Sequence, residues 1–261
     1  MRTIRLVLLL TVGAFLTAPE TGWTAPIASS SAFGESINLV FLANSSSGLS
    51  VPVTVVSSPL PTAAGTAPPT YNVTNSLPTV TVGTALQAGP VAVSAVSMLP
   101  LSLNAVASAT LSDVALDIAP LFTLTATQIQ STTTIDSALN ATGTATLLTG
   151  TSTPNMSIPS APAPNTVLVN AGGVRVVLNE ETITGNGVTS RDISTNAVDM
   201  TFVNAPFTST TGTGLLNGSI ILAHSEAHVV GAVAAVPEPA SFVLLGAGLA
   251  VLWHWHHRRP R

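Results

Sequence analysis

Three polar residues near the end of the chain have side chains of the kinds that bind metal ions. His224, Glu226 and His228 alternate along one predicted strand, so all three side chains point to one face. Imidazole and carboxylate groups placed in this way can hold a metal ion. By simple alternation, Ile220 and Leu222 share that face. The alternative interpretation of the trio is that it forms the solvated face of a strand whose other face packs on an apolar core. We name the trio as candidate ligands and assign no metal and no cofactor.

A second polar cluster stands in the segment VVLNEE. Glu180 and Glu181 are adjacent, so on a strand they point to opposite faces and cannot act together as a carboxylate pair. Either one has a possible ion-pair partner in Arg175 or Arg191. With Asn179 beside them, the pattern favours a structural hydrogen-bond or ion-pair site at a strand end.

The remaining acidic residues leave open a glycosidase-like active site, because a pair of carboxyl groups suffices for glycoside hydrolysis. Nothing in their spacing selects a pair from Asp113, Asp117, Asp136, Asp192 and Asp199. The chain has no G-x-S-x-G turn, no phosphate-binding glycine loop and no EF-hand loop. We therefore predict a protein that is not an enzyme and has no catalytic residues.

Charge and composition exclude further classes of function. The net charge is −4, lysine is absent, and only Arg175 and Arg191 lie between the arginines of the two ends, so the chain offers no basic patch for nucleic acid. Cysteine is also absent, which excludes disulfides, a thiol nucleophile and a zinc–thiolate site.

The body of the chain has the alternation of β-strands. In LFTLTATQ, Phe122, Leu124 and Ala126 fall on one face and threonines on the other. Similar short stretches recur between turn residues, and we predict an all-β, sandwich-like or related β-rich domain. The Pro-rich stretches 57–76 and 152–165 are expected to be loops, and the Ala-rich segment 85–116 leaves a helix open.

The N-terminus is expected to direct export. Arg2 and Arg5 precede the apolar run Leu6–Leu16, which is too short to span a membrane comfortably. We assign residues 1–25 to a signal peptide that forms a helix.

The C-terminus carries a second apolar segment. Ala240–Trp253 would form about 21 Å of helix, and the aromatic and histidine residues that follow extend it towards the ~30 Å of a bilayer core. We expect a transmembrane helix whose terminal arginines stay on the cytoplasmic side of the inner membrane. These membrane-stop residues are Arg258, Arg259 and Arg261.

The order of features in residues 236–261 resembles the PEP-CTERM sorting signal, in which a Pro-Glu-Pro motif is followed by a membrane helix and a basic end. By this resemblance Pro237, Glu238 and Pro239 are recognised by a processing enzyme, an exosortase, that removes the tail. The resemblance implies an exported protein that is membrane-anchored before processing and then reaches the cell surface or the extracellular space.

Residues 31–230 resemble the choice-of-anchor P family, through SAFGESINLV, GTAPPTYN, PNTVLVNAGGVRVVLNEET, TNAVDMTFVNA and GSIILAHSEAHV in this order. Family members share an exported body and differ in their anchors, which implies no reaction. We expect a structural or interaction protein near extracellular polysaccharide or biofilm. A carbohydrate-binding or carbohydrate-active module is the alternative, which the scarcity of Trp and Tyr in the body disfavours.

Overall fold

The computed structural model describes residues 27–44, 50–148, 150–209 and 212–231, which belong to one compact unit from Pro26 to Gly231. All regular structure in these ranges is β-strand, so the predicted all-β class is confirmed and the helix left open at 85–116 is wrong. The predicted signal peptide, residues 1–25, and the sorting segment, residues 236–261, lie outside the described ranges.

Fourteen strands follow one another along the described part of the chain. Their bounds are β1 Ile27–Asn44, β2 Ser50–Ala67, β3 Tyr71–Leu77, β4 Val80–Val82, β5 Leu86–Ala88, β6 Val91–Ser97, β7 Ala105–Ile118, β8 Phe122–Ile135, β9 Ala141–Leu148, β10 Thr151–Thr153, β11 Thr166–Ala171, β12 Val174–Thr184, β13 Ser190–Ser209 and β14 Gly212–Val230.

The strands form two antiparallel sheets. Sheet A has the order β11-β12-β13-β14-β1-β2. In sheet B the long strands β7 and β8 are central, with β6 and β3 on one side and β9 on the other, and the short strands β4, β5 and β10 continue the two sides. The inner faces pack together, since β1 lies over β6 and β7, β14 over β7 and β8, and β13 over β8 and β9. The result is a sandwich that almost closes around its core.

Alternating side chains fill this core as the sequence predicts. Phe122 and Leu124 are 1% exposed and Ala126 is 5% exposed, whereas Thr125 and Thr127, on either side of Ala126, face solvent. The predicted face of β8 is therefore confirmed. Its burial removes apolar surface from water, which is the main favourable contribution to folding.

One row of residues crosses sheet A and marks a reversal of the inside–outside alternation in each strand that it meets. Gly34, Ala223, Ala197 and Asn179 are left out of the pairing of neighbouring strands, and each is buried beside another buried residue. The register is the same on both sides of this row, so the reversal comes from two successive buried residues in each strand and not from an inserted one. We call these four residues the reversal row.

The reversal row corrects the face assignment that simple alternation gives for β14. Ala223 has a positive φ of 52°, and Leu222 and Ala223 both point into the core. Consequently Ile220 and Leu222 lie on the opposite face from His224 and the polar residues that follow it, and the apparent mixing of polar and apolar side chains on one face disappears.

The loop predicted for residues 57–76 is wrong. Strand β2 continues to Ala67, and β3 begins at Tyr71. Prolines are compatible with β2 because it is the edge strand of sheet A, where a missing N–H need not interrupt a ladder. The second predicted loop is confirmed for residues 154–165, which have no strand after β10 ends at Thr153.

Candidate functional site

A band of polar and ionisable side chains crosses the outer face of sheet A just beside the reversal row. The register places Glu180 on β12 opposite Asn196 on β13, Asn196 opposite His224 on β14, and His224 opposite Phe33 on β1. Directly paired residues on neighbouring strands point to the same face. The four side chains therefore meet on one surface, although they are far apart in the sequence.

Hydrogen bonds join the first half of this band. Arg175 lies 3.6 Å from a carboxylate oxygen of Glu180, and the Asn196 amide donates to the other carboxylate oxygen at 3.1 Å. The Asn196 carbonyl oxygen lies 2.6 Å from Nδ1 of His224. Because an amide oxygen can only accept, Nδ1 of His224 is the donor in this bond.

The second half of the band surrounds Glu226. Nε2 of His224 lies 3.8 Å from the Glu226 carboxylate, and the hydroxyl of Ser31 lies 3.5 Å from the same carboxylate oxygen. The interaction with His224 lowers the pKa of Glu226 below its usual value, against the opposing effect of burial. Phe33 stacks on the other side of His224, with ring centroids 4.3 Å apart and planes at 16°. We call these residues, from Arg175 to Glu226, the polar network.

His228 lies two residues after Glu226 on β14, and its Nδ1 pairs with the carboxylate of Asp192 on β13. Ser29 of β1 lies opposite His228 in the register, and both line an open groove that also contains Thr66 and Glu226. The row Asp192–His228–Ser29 has the residue types of a hydrolytic triad. Within the described residues, however, no hydrogen bond joins Ser29 to His228, and the row lies across three paired strands whose backbone groups are engaged in the sheet.

Asp199 lies on the same outer face as Glu180, on the other side of the reversal row. Burial, together with the negative charge of Glu180, raises the pKa of Asp199 from 3.8 to about 6, and a hydrogen bond from Thr201 at 3.3 Å opposes the shift. Of the acids that the sequence left open for a carboxylate pair, Asp199 has a carboxylate neighbour and Asp192 has a histidine. Asp113 and Asp117 lie on sheet B, and Asp136 binds Asn140 in the turn after β8.

The candidate metal ligands do share a face, as predicted, but only His224 and Glu226 lie close together, and His228 points to a different partner. His224 binds Asn196, and His228 binds Asp192 on a different part of β13. Among the described residues, no group of three or more His, Cys, Asp or Glu side chains is arranged to hold a metal ion. The geometry therefore makes His224, Glu226 and His228 members of cross-strand contacts.

Glu180 and Glu181 point to opposite sides of sheet A, as their adjacency predicts. Glu180 pairs with Arg175 on the outer face, whereas Glu181 lies beside Thr195, which is fully buried in the interior. Asn179 adopts a positive φ of 50°, and its side-chain amide donates to the carbonyl of Pro162 at 3.0 Å. The expectation of a structural hydrogen-bond and ion-pair site is met at these positions.

Sequence reasoning missed Asn196 and Phe33, which connect and cover His224. No local pattern relates either residue to His224, and only the antiparallel register brings each of them opposite it. Tyr71, the one tyrosine, is not an open platform for a ligand. Its hydroxyl shares a 2.8 Å hydrogen bond with Ser30, and its ring packs against Gly65.

Comparison with known proteins locates a second functional element, beyond the sandwich. Residues 235–259 match the PEP-CTERM protein-sorting motif. The motif marks the chain as an exported protein that an exosortase processes. No match to the chain was found among curated proteins. None of the described residues forms a helix long and apolar enough to cross a membrane. The predicted recognition residues Pro237, Glu238 and Pro239 and the terminal arginines 258, 259 and 261 lie within or next to the matched segment and outside the described ranges.

Proposed function

We propose that this chain is a structural or interaction protein of the cell surface or extracellular matrix that associates with extracellular polysaccharide. The observation that carries the proposal is the order of its parts: β14 ends at Val230, and the sorting motif begins at residue 235. Every described strand thus precedes the processing segment. Removal of the tail would leave both sheets complete, and β14 would stay paired to β1 and β13.

The route to the surface follows from the two ends. Residues 1–25 act as the signal peptide, and the segment Ala240–Trp253 holds the chain in the inner membrane with the terminal arginines on the cytoplasmic side. The exosortase then acts near Pro237–Glu238–Pro239. The body that remains is a member of the choice-of-anchor P group, by the motifs noted in the sequence, and has no enzymatic activity.

The polar network supports an interaction role. It presents a carboxylate, an amide and an imidazole within one hydrogen-bonded band, and Phe33 beside them offers an aromatic surface. Such groups bind hydroxyl-rich ligands, since carboxylates and amides accept and donate the hydrogen bonds that sugar hydroxyls need. The band lies on a sheet surface beside an open groove, where a polymer chain can be laid down.

A binding assay on the host's own polysaccharide tests this proposal. The processed protein, purified from host cells or medium, is mixed with the polysaccharide and sedimented, and released reducing sugar is measured in parallel. We expect co-sedimentation without sugar release. Release of reducing ends would establish the carbohydrate-active alternative, for which Asp199 and Glu180 are the neighbouring carboxyl groups. Absence of co-sedimentation would refute polysaccharide association.

A further inference from the structure

One part of the outer face of sheet B is built mainly from small uncharged polar residues. Three rows cross five strands, β3, β6, β7, β8 and β9. The rows are Asn72–Val96–Val106–Thr134–Thr142, Thr74–Ser94–Ser108–Thr132–Thr144 and Ser76–Ala92–Thr110–Gln130–Thr146. We call these fifteen residues the hydroxyl face. Ten of them are serine or threonine and none is charged, so the surface differs in kind from the polar network on sheet A.

The hydroxyls of this face are available to a ligand. Ser94 and Ser108 share a hydrogen bond of 3.1 Å. Within the described part of the chain, the other eight hydroxyls have no side-chain hydrogen bond to protein, and their side chains are partly or fully exposed. Each hydroxyl is both a donor and an acceptor. The face therefore offers hydrogen bonds of both kinds to a partner that also carries hydroxyl groups.

The strands arrange these groups as a lattice. Neighbouring strands are about 4.8 Å apart and alternate residues on one strand are about 6.7 Å apart, so the five strands span roughly 19 Å. An open depression of about 400 Å³ crosses the face from β3 to β7. Small side chains line this depression, namely Thr74, Ser76, Ala92, Ser94, Ser108 and Thr110. A regular array with a shallow trough suits an extended polymer better than a compact ligand.

The charge of the surroundings limits the kind of polymer. Asp113 lies on β7 just past one end of the face, and Asp136 lies in the turn at its other end. No basic side chain belongs to the fifteen residues, so an anionic polymer would find no counter-charge there and would meet two carboxylates at the borders. A neutral polymer meets no such penalty.

We propose that the hydroxyl face is a second contact surface, which binds a neutral polysaccharide chain. It lies on the opposite side of the sandwich from the polar network, so one domain can hold two polymer chains and link them. The inference rests on the proposed polysaccharide association and adds to it the face and the uncharged class of ligand.

The test compares two variants of the processed, full mature protein from the native host. Thr132→Val with Thr144→Val removes two hydroxyls that are direct cross-strand neighbours in the middle row, while the strands keep a β-branched residue. Glu226→Gln changes the polar network instead, at a side chain that is 54% exposed. Thr182→Val, on the exposed outer side of β12, is the control for a threonine substitution elsewhere. Matching circular dichroism spectra and unfolding midpoints establish that each variant is folded.

Binding is measured to the neutral fraction of the host polysaccharide, separated from the acidic fraction by anion exchange. We expect the double variant to bind the neutral fraction about tenfold more weakly, as the loss of two modest hydrogen bonds implies. Thr182→Val should bind it like the unmodified protein, and Glu226→Gln measures the separate contribution of the polar network. Binding should also be unchanged between about 50 mM and about 500 mM salt, because no charge is involved.

Two results overturn the inference in distinguishable ways. If the unmodified protein binds and only Glu226→Gln weakens binding, polysaccharide association stands and the hydroxyl face is not its site. If the unmodified protein binds neither fraction, the proposed association itself fails and the inference fails with it. A change in particle size of the double variant without added polysaccharide would show that the face binds a second copy of the chain, which also overturns the proposal.

Discussion

Replacement of Asp199 by asparagine tests whether the carboxyl groups on the outer face of sheet A lower the stability of the folded protein. Burial and the charge of Glu180 raise the pKa of Asp199 to about 6, so the folded protein binds this proton more tightly than the unfolded chain does. The stabilisation from the protonated carboxyl is therefore present below the unfolded pKa of 3.8 and is lost as the pH rises through about 6.

The shift sets the size of the effect. A difference of about two pKa units corresponds to at most about 3 kcal/mol, and solvent screening at this half-buried position reduces the expected value to about 1–2 kcal/mol. Asparagine is neutral at every pH and can still accept the hydrogen bond from Thr201. Asp199→Asn should therefore stabilise the protein by about 1–2 kcal/mol at about pH 8 and have little effect at about pH 3, below the unfolded pKa.

Urea unfolding at the two pH values measures this difference directly. Glu180→Gln provides the matched comparison, because removal of its charge takes away one of the two causes of the Asp199 shift. In that background Asp199→Asn should give a smaller gain at the higher pH. An equal effect of Asp199→Asn at both pH values, or a loss of stability at about pH 8, would refute the reasoning.

Two further predictions concern the interior and the backbone. Thr195→Val should stabilise the fold by about 1 kcal/mol in urea unfolding. The reason is that the Thr195 hydroxyl is fully buried without a protein partner, and valine has nearly the same shape. Destabilisation would mean that the hydroxyl is hydrogen-bonded. Gly218→Ala should destabilise by about 2–4 kcal/mol, since Gly218 has φ +122° and a β-carbon there would lie 1.9 Å from the Asn38 carbonyl oxygen. Gly172→Ala, at φ +61° in open space, should cost only about 1 kcal/mol, and equal losses at the two glycines would contradict the assigned geometry.

Much of the fold could be predicted from alternation and turn residues alone. The LFTLTATQ stretch lies in β8 with the predicted faces, and the Gly172–Gly173 pair forms the tight turn between β11 and β12 with two positive φ angles. Alternation failed where two successive residues of a strand are buried. At Ala223 the reversal depends on a left-handed alanine, a conformation that residue type does not signal.

The candidate site was predictable only in part, because its contacts depend on register. The adjacency of Glu180 and Glu181 correctly separated their side chains onto two faces. The meeting of Glu180 with Asn196, and of His224 with Phe33, requires the pairing of four strands whose offsets no local pattern specifies. The sorting motif, in contrast, was readable from sequence because its three features occur in order within one short segment.

The central claim is that the sandwich is exported and then separated from its sorting segment. The most direct test is to measure the intact mass and sequence both ends of the protein from native cells and medium. We predict a chain that lacks the signal peptide and ends near Pro237–Ala240, with all strands through Val230 retained. The variant Glu238→Gln should accumulate with its tail attached. A native protein that still extends to Arg261 would contradict the account.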